Sequence, residues 1–375
     1  MASKTLIRNL RLISGLVLMA FVIGHLINLS LGLHSLSAMG KWRVLLLDPW
    51  RSLPGATALM AAAIVHTVLG LYAMATRRSL SMTRTDKVQL ALGLLTPPML
   101  ITHVVATRIA AEFGKDFQFV YGQMLAVYWS FAPRYAFQQL FVVLIVWVHG
   151  ALGLYSWLVL KPVWRRIGGV VLPILFAIPI VALLGFAEGG REVLQRLASD
   201  PAWKALIIDH LRPIAAAVAQ MDSAVNQILL VYAGVVLALM TMVLWRIRRD
   251  RARPVQVAYD EGLVGQGRRG LSVLEISQAN DIGHAHVCSA RGRCGTCRVQ
   301  VEHGAQSLTA LNDLEEGTLA RLHAPPGVRL ACQARVIGPG VVVTRLLPAF
   351  ADPSAANDPQ SWVGEAPLAP AGAQP

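Results

Sequence analysis

The chain has 375 residues, 55% of them apolar and only 15% charged, with a mean hydropathy of +0.52. Soluble chains carry about 25% charged residues, so this composition argues against an ordinary soluble enzyme, a disordered protein or a nucleic-acid-binding domain, despite a formal charge of +13. It fits a membrane protein with a smaller soluble part.

Six windows hold the roughly 20 apolar residues that a spanning helix needs: 10–33, 54–76, 88–110, 138–160, 167–187 and 226–246. The first is too long for a signal-peptide core of roughly 7–15 residues, and no small-residue cleavage site follows it. Residues 1–253 hold 25 Lys/Arg against 10 Asp/Glu, whereas 254–348 hold 9 Arg against 8 acids. The basic excess therefore reports topology and anionic headgroups rather than nucleic acid. Lys4 to Arg11, Arg77 to Lys87, Lys161 to Arg166 and Arg246 to Arg253, with Arg251 among them, crowd short stretches on one side. The opposite set, which includes Lys115, is spread over longer loops. Both termini are thus expected in the cytoplasm of a bacterial-type inner membrane, and residues 1–250 form the multi-pass domain. The outer loop 188–225 reads as short amphipathic helices, one starting at Asp200-Pro201.

After the basic stop at Arg246 to Pro254 the pattern changes. Val255 to Tyr259, Arg298 to Glu302 and Val341 to Leu346 alternate like strands, while Ser272 to Gln278 and Leu311 to Leu322 read as helices. Residues 251–348 are therefore expected to form a mixed α+β domain. The Ala/Pro-rich residues 349–375 are expected to be a disordered tail or linker.

All four cysteines fall in the soluble domain, as Cys288, Cys294, Cys297 and Cys332, with gaps of five, two and 34 residues. Three thiolates in one loop and one distant thiolate suit a 2Fe-2S cluster, whose irons take four cysteine ligands. Gly292 and Gly295 let the loop curl toward the cluster sulfurs. Structural zinc, the alternative, usually shows two knuckle-like pairs. His284 and His286 are not needed where four cysteines already fill the site.

The cysteine loop, the Leu-Asn-Asp-Leu-Glu-Glu stretch at 311–316 and Leu-Ala-Cys-Gln at 330–333 resemble adrenodoxin-like and plant-like 2Fe-2S ferredoxins. The resemblance implies a β-grasp fold, one-electron transfer and the four cysteines as iron ligands. Ferredoxins of this kind often show an acidic docking face. Here Arg291, Arg293 and Arg298 surround the loop, which points to an acidic partner or the anionic leaflet.

The first four spans each carry one histidine well inside: His25, His66, His103 and His149. Ionisable residues at such depth default to a functional reading. Histidine is a standard axial haem ligand, and bundles build cofactor sites from facing side chains. In an antiparallel four-helix bundle spans 1 and 3 are diagonal, as are 2 and 4, so His25 pairs with His103 and His66 with His149. Two haem b groups fit this pattern; a single haem with two spare histidines is the alternative. At 1.5 Å per residue the two levels lie only about 6–8 Å apart. Gly15 and Gly24 in span 1 support close packing around a macrocycle. Pro97-Pro98 precede His103 by one to two turns.

This histidine pattern, over about residues 8–165, resembles the dihaem cytochrome b anchors of the succinate dehydrogenase/quinol:fumarate reductase superfamily, which implies quinone contact. Six spans followed by a ferredoxin also resemble the N-terminal half of membrane class III adenylate cyclases with redox anchors. No cyclase domain follows here, so cyclase activity is not expected of these residues. The fold expected is an all-α six-helix transmembrane bundle with a four-helix haem-binding core, followed by an α+β β-grasp ferredoxin. The function expected is electron transfer among cluster, haem b and quinone. The alternatives are a redox or quinone sensor for a cyclase-type effector, and a zinc-stabilised non-redox adaptor. The partners expected are the lipid bilayer, quinone and a cytoplasmic redox or effector protein, with room for a homodimer and none for nucleic acid.

Overall fold

The computed structural model describes residues 3–80, 82–109, 121–250 and 253–356. Lys115, Arg251 and residues 357–375, on which part of the topology and tail expectations rest, lie outside the described residues. Helix α1 (Lys4–Ser30) is followed by two short helices, α2 (Leu36–Leu46) and α3 (Asp48–Arg51), and then by α4 (Leu53–Ala75) and α5 (Arg84–Val104). A π-helical turn, Val105–Ile109, continues α5. A short helix α6 (Tyr121–Ala126) leads through a second π turn, Val127–Phe131, to α7 (Arg134–Leu158). Helices α8 (Trp164–Ser199) and α9 (Pro201–Asp250) complete this part.

Six helical stretches are long and apolar enough to cross a membrane: 4–33, 53–75, 84–108, 134–158, 164–199 and 217–250. They coincide with the six windows read from the sequence. Their apolar residues face outward as well as inward: Leu53, Phe176 and Leu230 are more than seven-tenths exposed. Side-chain caps fix where the helices begin. Ser3, Ser52 and Thr83 accept from backbone N–H groups in the first turns of α1, α4 and α5, the usual remedy for unpaired N-terminal donors. Helix α1 packs against α4 and α8, and α5 against α7. Helix α1 also touches α7, whereas α1/α5 and α4/α7 are not among the main contacts, which makes them the diagonals of a four-helix group.

The loop expected to fold as short separate helices over 188–225 does not. Helix α8 runs unbroken to Ser199, and α9 starts at Pro201, the start signal read at Asp200-Pro201. Gly189 and Gly190 are poor helix formers, but both are buried in α8 against Leu125 and Trp129, where a side chain would not fit, and tertiary packing carries the helix through them. At 1.5 Å per residue α8 is about 54 Å long and α9 about 75 Å. The resulting hairpin closes over one end of the bundle, where Met39, Leu125, Phe186, Val193, Leu197 and Ile207 share a buried core.

The C-terminal domain is a five-stranded mixed sheet of β1 (Pro254–Tyr259), β2 (Val264–Arg268), β3 (Arg298–His303), β4 (Val328–Leu330) and β5 (Val341–Arg345), in the order β2-β1-β5-β3-β4. β1 and β5 are parallel, and the other neighbours are antiparallel. Helix α10 (Val273–Ala279) begins in a capping box made by Ser272 and Glu275, and it buries Val273, Leu274 and Ile276 on the sheet. Helix α11 (Asp313–Arg321) is capped by Asn312. Within the stretch expected to be a tail, Pro353–Ala356 form a 3-10 turn, and Ala356 is buried.

Candidate functional site

The cysteines are delivered by the sheet and by one loop. Register pairs Arg298 with Leu330 across β3 and β4. Cys297 precedes one strand and Cys332 follows the other, and the Ala331 N–H donates to the Cys297 carbonyl at 2.9 Å. Glu315, wholly buried in α11, steadies this edge. Its carboxylate accepts from Arg329 at 2.8 and 2.9 Å and from the Leu330 N–H at 2.8 Å. The loop itself curls through four left-handed residues: Ser289, Ala290, Gly292 and Gly295 at φ +52°, +60°, +62° and +73°. The two glycines do so freely; Ser289 and Ala290 do so at a cost, which such loops bear where a site demands it. Thr318 donates to the Gly292 carbonyl at 2.6 Å, and Thr296 lies 3.0 Å from the Cys294 sulfur.

All four thiols are free and buried. They fall into two hydrogen-bonded couples, Cys288 with Cys294 and Cys297 with Cys332. Cys288 is held well below the ordinary thiol range, first by the hydrogen bond from Cys294. The backbone N–H groups of Arg293, Cys294 and Arg291 add to this, against the upward push of burial. Those donors suit sulfur that carries negative charge. Among the described residues no three His, Cys, Asp or Glu side chains gather closely enough to hold a single metal ion. Two couples rather than one tight quartet suit two irons, each taking one couple.

Residues 264–336, which contain all four cysteines, match the 2Fe-2S iron-sulfur cluster binding domain family. A 2Fe-2S ferredoxin of Pseudomonas aeruginosa is 33% identical over 84 residues, 22% of this chain and 75% of the relative. That of Escherichia coli is 32% identical over 91 residues, 24% of this chain and 82% of the relative. This chain belongs, through its C-terminal domain, to the 2Fe-2S ferredoxins. The chlorosome protein I of Chlorobaculum tepidum is 37% identical over 70 residues, 18% of this chain, which spans 29% of that relative's length. The solved ISC-like 2Fe-2S ferredoxin of Pseudomonas putida aligns over 26% of this chain and 94% of its own, at 25% identity and a TM-score of 0.23.

The ferredoxin domain sits on the end of the bundle where α1 begins. Asp313 accepts from the Ser3 hydroxyl and, at 2.8 Å, from the Thr5 N–H. Arg268 donates to the Arg78 carbonyl. Arg291 donates to the Ser156 hydroxyl near the end of α7, and Leu160, just beyond α7, packs with Cys288 and Cys294. Ala356 closes the other flank of the loop, its carbonyl accepting from Arg321 at 2.9 Å. The arginines expected to present a basic face outward are placed otherwise. Arg298 is 1% exposed. Arg291 turns to the chain's own bundle. Arg293 is drawn into the same seam, where burial and then the charge of Arg291 pull its pKa down to about 10. The sequence could not show that these charges meet the protein's own helical bundle.

Inside the bundle the four histidines form the two pairs that the diagonals demand. His25 and His103 have ring centroids 6.1 Å apart, as do His66 and His149. His66 Nδ1 lies 3.2 Å from the Arg11 carbonyl and 3.3 Å from the Ser14 hydroxyl. His149 Nδ1 lies 3.1 Å from the Gln89 carbonyl, while the Gln89 amide donates back to the His149 carbonyl at 3.1 Å. A carbonyl only accepts, so each Nδ1 carries the proton and each Nε2 keeps its lone pair. Gly15 and Gly93 make room: an added Cβ would stand 3.0 Å from His66 Cε1 and 2.8 Å from His149 Cε1. Gly15 thus serves an imidazole directly. Gly93, Gln89 and Ser14 were missed in the sequence, although polar residues inside apolar spans were a usable signal.

The separation between levels also differs from expectation. On α1, His66 touches residues 14 and 15, ten or eleven positions before His25. On α5, His149 touches Gly93, ten positions before His103. Ten residues of helix are about 15 Å, twice the expected offset. Counting depth from the basic flanks assumed level helix ends, but α1 starts lower, at Lys4.

Proposed function

We propose that this protein is a membrane electron-transfer module that moves single electrons between a cytoplasmic 2Fe-2S cluster, haem b in the bilayer and quinone. The observation that carries this reading is the seat of the cluster loop. Leu160 packs against two of the cysteines, and Arg291 holds Ser156, seven residues or about 10 Å of helix beyond His149. The redox end of the ferredoxin thus abuts the nearer imidazole pair, with the farther pair about 15 Å on.

Both imidazole pairs fit a metal held between them. Two bonds of about 2 Å, with about 1 Å from each nitrogen to its ring centre, add to about 6 Å, against the observed 6.1 Å. Cys288, Cys294, Cys297 and Cys332 would hold the cluster, His66 and His149 one haem, and His25 and His103 the other. When bound, these groups supply one-electron redox chemistry. The chain's own part is to fix the ligands. The Arg11 and Gln89 carbonyls set the His66 and His149 tautomers, and raise their basicity as ligands. Glu315 holds the strand that presents Cys332, and the backbone donors of the loop offset thiolate charge. The ferredoxin family and the two-couple cysteine geometry favour the cluster over zinc.

The test is a reduced-minus-oxidised spectrum of the purified chain with a pyridine haemochrome count and iron analysis. Two haems and two non-haem irons per chain are expected. Protein without a Soret band overturns the haem assignment. A redox sensor for an effector is the second reading, favoured by the polar seam between ferredoxin and bundle; steady oxidation of a donor by the protein in quinone-containing vesicles would rule it out.

A further inference from the structure

The far end of the bundle holds a cavity of about 210 Å³ beside His25 and His103. Its walls are largely apolar and aromatic, with Phe21, Trp50, Leu59 and Phe186 among them. Three guanidinium groups also line it: Arg43, Arg51 and Arg108. They arrive on three separate elements, α2, α3 and the π turn after α5. An apolar cavity is an expensive place for like charges unless something pairs with them. Arg43 is bridged to Asp48 at 2.9 Å. Among the described residues no acidic side chain lies within 4 Å of Arg51 or Arg108. Two positive charges are left facing the cavity that contains the imidazole pair.

We propose that Arg43, Arg51 and Arg108 form a carboxylate-binding site. Resting on the function proposed above, its ligand is the pair of carboxylate side chains of a porphyrin held between His25 and His103. Guanidinium is the side chain that meets carboxylate through two parallel N–H donors, and it does so best where water is scarce. The two guanidinium groups that form no ion pair among the described residues match two carboxylates in number. Burial, and then the charges of Arg43 and Arg108, already hold the Arg51 pKa below its ordinary value, a repulsion that bound carboxylates relieve. The same chemistry would also accept a free organic diacid, so the source has to be separated by experiment.

The full chain, made under haem limitation and kept in detergent, is titrated with iron protoporphyrin IX and with its dimethyl ester, which lacks the two charges. Soret absorbance and the midpoint potentials are followed. Labelled succinate is tested by equilibrium dialysis on the haem-free chain. The free acid should occupy the His25/His103 site at least tenfold more tightly than the ester. Arg51→Gln and Arg108→Gln should erase that preference, and Arg51→Lys should keep part of it. Arginine-dependent retention of succinate, with ester and acid bound alike, keeps the site but makes a free diacid its ligand. Ester and acid bound alike, with no succinate retained, overturns the proposal. A chain that takes up neither porphyrin fails the haem reading instead, and the succinate arm then decides the site alone.

Discussion

At the ferredoxin end of the bundle His66 and His149 turn Nδ1 to backbone carbonyls of neighbouring helices. At the far end His25 stacks on Phe21, with ring centroids 5.7 Å apart, while His103 faces the Tyr128 hydroxyl at 3.4 Å. The spacing within each pair is the same 6.1 Å. The near pair is thus fixed by the main chain, which substitution does not remove, and by glycines that leave no slack. The far pair is fixed by side chains and opens on a cavity. Two haems held as proposed would have the same kind of ligand in unlike surroundings, so their potentials are expected to differ.

The comparison can be broken most directly by removing ligands. Cys297→Ala should abolish the cluster, leaving no non-haem iron and an unchanged Soret band; loss of both signals together would mean that the domains do not hold their cofactors independently. Next in size, His149→Ala and His25→Ala should each remove about half of the haem, in different halves of a potentiometric titration. If either variant loses all haem or none, the diagonal pairing is wrong.

A finer variant is Gly93→Ala. Its Cβ would meet the His149 ring at 2.8 Å, and overpacking of this kind costs about 1–3 kcal/mol. It should shift the midpoint of the near haem and leave the far one in place, as read by spectroelectrochemistry. The smallest effect belongs to the seam. Asp313→Asn should weaken the hold of the ferredoxin domain on α1, seen as faster proteolysis between the two parts, with cluster and haem contents unchanged. The Ser3 hydroxyl and Thr5 N–H hold the Asp313 pKa well below the carboxylate value of 3.8. The contact is therefore fully present above pH 3.8 and disappears only as pH falls further. Proteolysis of the native chain should not change between pH 8 and 5.

What the sequence disclosed follows the strength of its signals. Runs of apolar residues and one histidine per span are local facts, so the six helices and both pairings could be read directly. The cysteine spacing is equally local. β2 and β4 were invisible for a physical reason. β2 is Val-Gly-Gln-Gly-Arg, whose glycines lie close against Ile276 where a side chain would not fit. β4 has only three residues. Both are strands because of their neighbours rather than their own propensities. The seat of the ferredoxin on its own bundle was hidden too, since a hydroxyl at Ser156 and a carboxylate at Asp313 look like any surface polar groups until the fold brings Arg291 and Ser3 to them.

Ala356 lies against the loop that carries Cys288 and Cys294, pinned there by Arg321. Whatever the chain carries beyond that residue sets out from beside the sulfur ligands themselves. Arg321 donates to the Arg293 carbonyl of the loop as well as to Ala356, so one guanidinium couples the position of that exit point to the backbone around the cysteines.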